Sequence, residues 1–71
     1  MRLNYDPATD SLYIHLAELE SADGDEVAPG VVLDYDATGV LVGIDIQHAS
    51  LHTDIKRLVA ENLPLTTLNA A

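Results

Sequence analysis

The residues whose types and spacing could bind a metal lie late in the chain, where His48 and His52 are four positions apart and Asp45 precedes them. Two histidines at this spacing share one face if they stand in a helix. A zinc site usually takes three or four ligands, so these residues form the smallest conceivable set. Because the histidines flank a predicted strand-to-helix junction, we expect solvated or capping roles for them. We therefore predict no metal and no cofactor.

A second group that could do chemistry consists of carboxylates, because Asp34, Asp36 and Asp45 are predicted to converge on one face of a hairpin. Clustered carboxylates shift one another's pKa and can work as an acid–base pair. A cleft is not expected beside so small a sheet, and no serine lies in a nucleophile-elbow sequence. We predict that the protein is not an enzyme. The alternative is a small metal-dependent or acid–base enzyme that uses these three aspartates and His48.

The length and composition of the chain predict one small domain over residues 1–71 that is short of stabilising contacts. The chain has 71 residues, 48% of them hydrophobic, and no cysteine. A domain of this size is marginal alone and usually needs disulfides, a metal or a partner. We therefore expect a homo-oligomer, most simply a dimer. No apolar run approaches the roughly 20 residues that span a bilayer, so we expect no membrane association and a cytoplasmic location.

The distribution of charge restricts the partners that the surface can attract. The net charge is −9, and eleven of the twelve acids lie between Leu3 and Ile55, a stretch without lysine or arginine. The three bases are Arg2, Lys56 and Arg57. Such a surface repels phosphate backbones, so we expect no direct binding of nucleic acid. It would suit a basic protein partner.

Two similar stretches predict the architecture. Tyr5-Asp6 and Tyr35-Asp36 each end an alternating apolar segment and are followed by a short polar turn and a second such segment. Pro7 presets the backbone of the first turn, and Gly39 supplies the positive φ that closes many hairpin loops. Each stretch is typical of a β-hairpin. We predict a four-stranded antiparallel β-meander over residues 2–47.

The rest of the chain is predicted to form a loop, a helix and a tail. Residues 18–26 carry five acids without apolar periodicity, which favours a loop. After Thr53, a plausible N-cap, the apolar residues fall on one helical stripe, and Pro64 ends it: Ile55, Leu58, Val59 and Leu63. We predict an α-helix over residues 53–63, packed on one face of the sheet, and a tail over residues 64–71. The predicted fold class is therefore α+β.

One face of the predicted sheet is left without a helix, and we expect it to form contacts between molecules. It is only partly polar, and Gly43 leaves its centre flat. The predicted interface residues are Tyr13, Val32, Leu41 and Gly43. An acidic rim is expected beside them, made by Glu18, Glu20, Asp23, Asp25 and Glu26.

The order of these motifs resembles a family of small prokaryotic proteins that is classed as a domain of unknown function. The resemblance covers roughly residues 2–50 and rests on Tyr5-Asp6, Asp10, Leu12-Tyr13-Ile14, Pro29-Gly30-Val31-Val32, Asp34-Tyr35-Asp36, Gly39, Val42-Gly43-Ile44-Asp45-Ile46 and Ala49-Ser50. It implies the fold more than any activity, and it supplies no catalytic or ligand residues. Some relatives look like the antitoxin-type partner of a small basic toxin. The resemblance therefore implies a self-associating, antitoxin-like module.

Overall fold

The chain folds into one antiparallel sheet followed by a single turn of helix. The computed structural model describes residues 1–70. Its elements are β1 (Arg2–Asp6), β2 (Ser11–His15), β3 (Asp23–Ala28), β4 (Val31–Tyr35), β5 (Leu41–Ile46) and α1 (Ala49–His52). The five strands lie in the order β1-β2-β5-β4-β3, and every neighbouring pair is antiparallel. The first hairpin therefore joins the other three strands through the pairing of β2 with β5.

The two predicted hairpins are confirmed, and their turns are held by local hydrogen bonds. The Asp6 carboxylate accepts the Ala8 backbone N–H at 3.0 Å between β1 and β2. Between β4 and β5, the Asp36 carboxylate accepts the backbone N–H groups of Thr38 and Val40, both at 2.9 Å. Gly39 has a φ of 89°, the left-handed value that the sequence predicts there.

The predicted four-stranded meander is wrong, because the sheet has a fifth strand. Strand β3 lies in the segment that we expected to be an acidic loop, and it pairs with β4. Its register shifts between Glu26 and Ala28, just before the turn that carries Pro29 and Gly30. All six residues of β3 are exposed. An edge strand tolerates charges on both faces, which hide the alternation that identifies a half-buried strand.

The predicted helix over residues 53–63, packed on the sheet, is also wrong. The helix of the described chain has four residues and ends before this segment, and residues 53–63 contain turns and bends but no helix. An isolated helix of about eleven residues is marginal in water unless its apolar stripe packs against a partner surface. Thr53, the predicted N-cap, instead follows the end of α1 as its C-cap. Of the predicted tail, Ala71 lies outside the described residues.

The strand register separates an apolar face from a polar face. On the apolar face, one row across the sheet is Leu3, Ile14, Ile44, Leu33 and Asp25, and the next is Tyr5, Leu12, Ile46 and Val31. On the polar face, one row is Asn4, Tyr13, Asp45, Val32 and Glu26, and the next is Arg2, His15, Gly43, Asp34 and Gly24.

The core is small because residues 1–70 form one sheet and a single turn of helix, and so supply no second sheet or long helix to cover the apolar face. The buried hydrophobic residues of the described chain are Leu12, Val42 and Ala49. Strand β1 is exposed throughout, and so are large apolar side chains beyond the sheet: Leu51, Leu58, Val59, Leu63, Leu65 and Leu68. A stable domain usually buries its apolar sheet face against another layer. Among residues 1–70, no helix has the length and hydropathy to cross a membrane.

Candidate functional site

The centre of the polar face is organised around Tyr13, whose side chain leans over Gly43. The Tyr13 hydroxyl donates a hydrogen bond of 2.7 Å to the Asp34 carboxylate, two strands away. A Cβ atom added to Gly43 would lie only 2.7 Å from the Tyr13 Cε1 atom, so the ring occupies the space that a side chain would need. The glycine thus allows a bond that connects β2 with β4 across β5.

Two further polar residues border the Tyr13 ring. His15 lies beside it, with ring centroids 4.4 Å apart and an angle of 57° between the planes. Asp45 is the register partner of Tyr13 on β5. The hydrogen bond to Asp34 raises the pKa of Tyr13 to about 12, with smaller contributions from desolvation and from the charges of Asp34 and Asp45. The phenol is therefore held as a neutral hydrogen-bond donor rather than prepared to act as a base.

The four predicted interface residues do not all share this surface. Tyr13, Val32 and Gly43 lie on the polar face, as their register positions show. Leu41 is different, because a register shift between Asp34 and Tyr35 pairs Leu41 with Tyr35. The alternation along β5 is interrupted at this shift, so Leu41 does not lie on the polar face as its two-residue spacing from Gly43 would predict.

The predicted acidic rim is divided by the sheet. Asp23 and Asp25 pair with Tyr35 and Leu33 and so border the apolar face. Glu26 pairs with Val32 and borders the polar face. The other two rim residues, Glu18 and Glu20, lie in the connection between β2 and β3. Glu18 makes the ion pair of the described chain, with its Oε1 atom 3.1 Å from the Arg2 Nε atom.

A second polar cluster, which sequence reasoning missed, closes the end of the apolar face. The Asp10 carboxylate accepts hydrogen bonds of 2.7 Å from both the Tyr5 hydroxyl and the Ser50 hydroxyl. The Asp10 backbone carbonyl accepts the Ala49 N–H at 2.8 Å. This cluster fixes α1 to the first hairpin. Both Asp10 and Ser50 belong to the family pattern, which is the sequence signal that could have suggested their contact.

The hydrogen bonds of this cluster change its protonation behaviour. Donation from Ser50, then from Tyr5, holds the pKa of Asp10 below its ordinary value, and the nearby His48 adds a smaller charge effect. The bond to Asp10 raises the pKa of Tyr5. Asp10 and His48 both have a positive φ, 54° and 52°. The cluster thus favours an ionised carboxylate at Asp10, one of these two residues in the left-handed region.

The structure does not bring His48, His52 and Asp45, the smallest conceivable metal set, into a group of ligands. No group of three or more potential ligands among histidine, aspartate and glutamate forms within residues 1–70. His48 is the N-cap of α1 and makes no side-chain capping bond, while His52 is its last residue. The carboxylates also separate, since Asp34 bonds Tyr13 on the polar face and Asp36 bonds its own turn. The four residues of the alternative enzyme are thus separated: Asp34 and Asp45 lie on the polar face, Asp36 lies in its turn, and His48 lies at the start of α1.

Some acids of the sheet and its turns serve the fold, and others remain available. Five aspartates accept hydrogen bonds from neighbouring groups, namely Asp6, Asp10, Asp23, Asp34 and Asp36. Within the described strands, the carboxylates of Asp25, Glu26 and Asp45 take no part in these bonds or in the ion pair. Glu26 and Asp45 stand in one row of the polar face, on either side of Val32.

The fold and its site define a small protein built on a single antiparallel sheet, with one apolar and one acidic face. The comparison with protein families places the chain further. Residues 2–50 match the family described as a protein of unknown function (DUF2283), so the chain belongs to this family. This confirms the resemblance to a domain of unknown function. The searches of curated proteins and of solved structures gave no match.

Proposed function

We propose that the protein is a non-enzymatic, acidic binding module that self-associates and binds a basic protein partner, as an antitoxin-like module would. The observation that supports this most is the opposite character of the two faces. Within residues 1–70, the apolar face has no second sheet or long helix over it, and the polar face presents Glu26 and Asp45 without a bonded base. One face suits a second copy, and the other suits a cationic partner.

The electrostatics of the polar face favour a protein over a nucleic acid. The net charge of −9 attracts a basic partner at long range and repels phosphate. Tyr13 adds an aromatic ring beside Asp45, and an aromatic face next to a carboxylate suits an arginine or lysine side chain. The absence of a bonded base at this row is what distinguishes it from Glu18, which is already paired with Arg2.

A defined cationic probe tests the binding half of this proposal. A fluorescent arginine-rich peptide should bind the protein with an affinity that falls as salt rises, while a peptide of the same length with serine for arginine should not bind. The double variant Glu26→Gln/Asp45→Asn should weaken binding at least about tenfold, roughly 1.4 kcal/mol. The matched control Glu20→Gln/Glu61→Gln removes the same charge outside the sheet and should change affinity less than about threefold, since distant exposed charges are screened. Equal losses in both variants would refute recognition by the polar face.

The self-association half is tested by the mass in solution. Light scattering at micromolar concentration should report at least twice the chain mass of 7.6 kDa. A stable monomer at every accessible concentration would refute it.

A further inference from the structure

We propose that a second copy of this chain packs face to face on the apolar face, with the two-fold axis parallel to the strands. Each copy then places its β3 margin over the β1 margin and the C-terminal segment, residues 53–58, of the other copy. This inference rests on the self-association in the proposed function and adds the surface and the geometry. It follows from the shape and the charge of the two halves of the face.

The two halves of the apolar face differ in height. On the side of β1 and β2, the C-terminal segment stands beside the sheet, and a cavity of about 460 Å³ lies between them. Its walls include Leu3, Tyr5 and Leu12 from the sheet and Ile55 and Leu58 from the segment. On the other side, Leu33 is half-buried and does not line this cavity. A raised half therefore adjoins a bare half.

The same two halves differ in charge. At the β3 margin, Asp23 and Asp25 border the apolar face. At the opposite margin, Arg57 and Asp54 line the cavity beside β1, and Lys56 precedes Arg57. Both bases are exposed. The apolar face thus has an acidic margin on one side and, on the other, a net basic margin of two bases and one acid.

Only one of the two simple face-to-face arrangements satisfies both features. A two-fold axis along the strands places the raised half of each copy over the bare half of the other, and the acidic margin over the basic one. An axis across the strands places β3 over β3, where Asp25 would face its own copy. Like charges placed together at an interface are costly, so the first arrangement is favoured.

The cross-strand register gives this arrangement a specific pair. Asp25 and Leu3 are the two ends of one row across the apolar face. Rotation about an axis along the strands lays this row on itself, so Asp25 of one copy lies over Leu3 of the partner. Arg57 and Leu3 line the same cavity. Asp25 of each copy should therefore meet Arg57 of the other.

The size of the interface is consistent with a role for the C-terminal segment. Five strands about 4.8 Å apart, each about 17 Å long, give a planar patch of roughly 400 Å². A stable interface needs about 800 Å² of accessible surface from each partner. The remaining accessible surface has to come from the uneven surface of the side chains and from the apolar residues of the C-terminal segment. An arrangement that excludes the segment would leave the patch too small.

A charge exchange between two variants tests the geometry. Asp25→Arg alone and Arg57→Asp alone should each raise the dimer dissociation constant at least about tenfold by sedimentation equilibrium, because each makes two repulsive contacts in the two-fold dimer. Mixed one to one, the two variants should form a heterodimer close to wild-type affinity, since both contacts are then complementary. Glu20→Arg, an equal change of charge in a loop, should not gain affinity on mixing with Arg57→Asp.

The outcomes separate this inference from the proposed function. A wild-type protein that stays monomeric would refute self-association itself. A wild-type dimer whose two variants lose affinity but show no recovery on mixing would refute the pairing of Asp25 with Arg57, and self-association would stand. Stronger association of Asp25→Arg with the wild-type chain than of the wild-type chain with itself would show the axis across the strands, because Asp25 would then face the introduced arginine instead of its own copy. Circular dichroism of each variant checks that the sheet is intact.

Discussion

The two faces of the sheet are made by the same strands, yet they hold together in different ways. The apolar face depends on aliphatic contacts, and the buried aliphatic side chains of the strands are Leu12 and Val42. The polar face has fewer apolar groups but a directed bond, from the Tyr13 hydroxyl to Asp34 at 2.7 Å across a glycine. Burial of aliphatic surface stabilises the apolar face, whereas a directed hydrogen bond stabilises the polar face.

This difference shows where a chain of 71 residues obtains its stability and where it remains incomplete. The polar face is satisfied within one copy, because its central hydroxyl and carboxylate are already partners. The apolar face is not, because exposed aliphatic surface gains free energy only when something covers it. Substitutions on the apolar face should therefore change both stability and assembly, and those under Tyr13 should change stability alone.

The largest effect is expected at the centre of the apolar face. Leu12→Ala should lower the free energy of unfolding by about 2–4 kcal/mol, because Leu12 is only 9% exposed and its removal leaves a cavity. The control Leu51→Ala, at a residue 79% exposed, should cost less than about 0.5 kcal/mol. Urea denaturation at one protein concentration measures both. Similar losses for the two would show that the apolar face is not the core.

A smaller loss of stability is expected at Gly43, beneath the Tyr13 ring. Gly43→Ala should cost about 1–2 kcal/mol, because the new methyl group displaces the Tyr13 ring and breaks its bond to Asp34. In a Tyr13→Ala background the same change should be nearly neutral. The resulting coupling of about 1–2 kcal/mol would come from the contact itself. Additive losses would mean that Gly43 is required for its backbone rather than for the space above it.

A third effect, at the end of the apolar face, depends on pH. The pKa of Asp10 is held below its ordinary value of 3.8 by donation from Ser50 and Tyr5. A lowered pKa stabilises the fold above the unfolded value, and this gain is lost as the pH falls through the folded value. The melting temperature of Asp10→Asn should thus lie below that of the wild type near neutral pH, and the gap should close below about pH 3.8.

The control for Asp10 is an acid outside the cluster. Glu20→Gln, in the connection between β2 and β3, removes the same charge and should show no such closing gap. A gap for Asp10→Asn that stayed constant down to pH 2, roughly two units below the ordinary aspartate value, would contradict the role of the ionised carboxylate.

The parts of the fold that were predictable from the sequence are those with local causes. Asp36 and Gly39 act within one turn, and the turn chemistry identifies them without any knowledge of the sheet. Strand β3 could not be predicted in this way, since its acids and Gly24 are acceptable only at an edge. The helix predicted over residues 53–63 does not form. Their apolar residues recur with a helical period, but a short helix is stable only where its apolar stripe packs against another surface.

The residues of the candidate site were predictable from the sequence, but the hydrogen bonds between them were not. The polar-face positions of Tyr13, Val32 and Gly43 follow from alternation along three strands. The bond from Tyr13 to Asp34 requires the strand order, which places β5 between β2 and β4. The contact of Asp10 with Ser50 joins residues 40 positions apart and requires the whole fold.

The smallest effect is a titration, and it examines the bond that distinguishes the polar face. The pKa of Tyr13 is raised to about 12, first by the hydrogen bond to Asp34. The ultraviolet absorbance of phenolate should therefore show one tyrosine that ionises near pH 12 and is absent in Tyr13→Phe. Asp34→Asn removes the charged acceptor and should move this transition toward the ordinary value of 10, whereas Asp45→Asn should move it less, because Asp45 acts only through its charge and is the last of the causes.

The sign of the accompanying change in stability follows from the same shift. A raised folded pKa stabilises the protein fully below the unfolded value of 10, and the gain is lost as the pH rises toward 12. The wild type should lose stability over this range relative to Tyr13→Phe, while at neutral pH it should be the more stable of the two. If Tyr13 titrated near 10 in the folded protein, its hydroxyl would not be bound to Asp34, and the polar face would be held by packing, as the apolar face is.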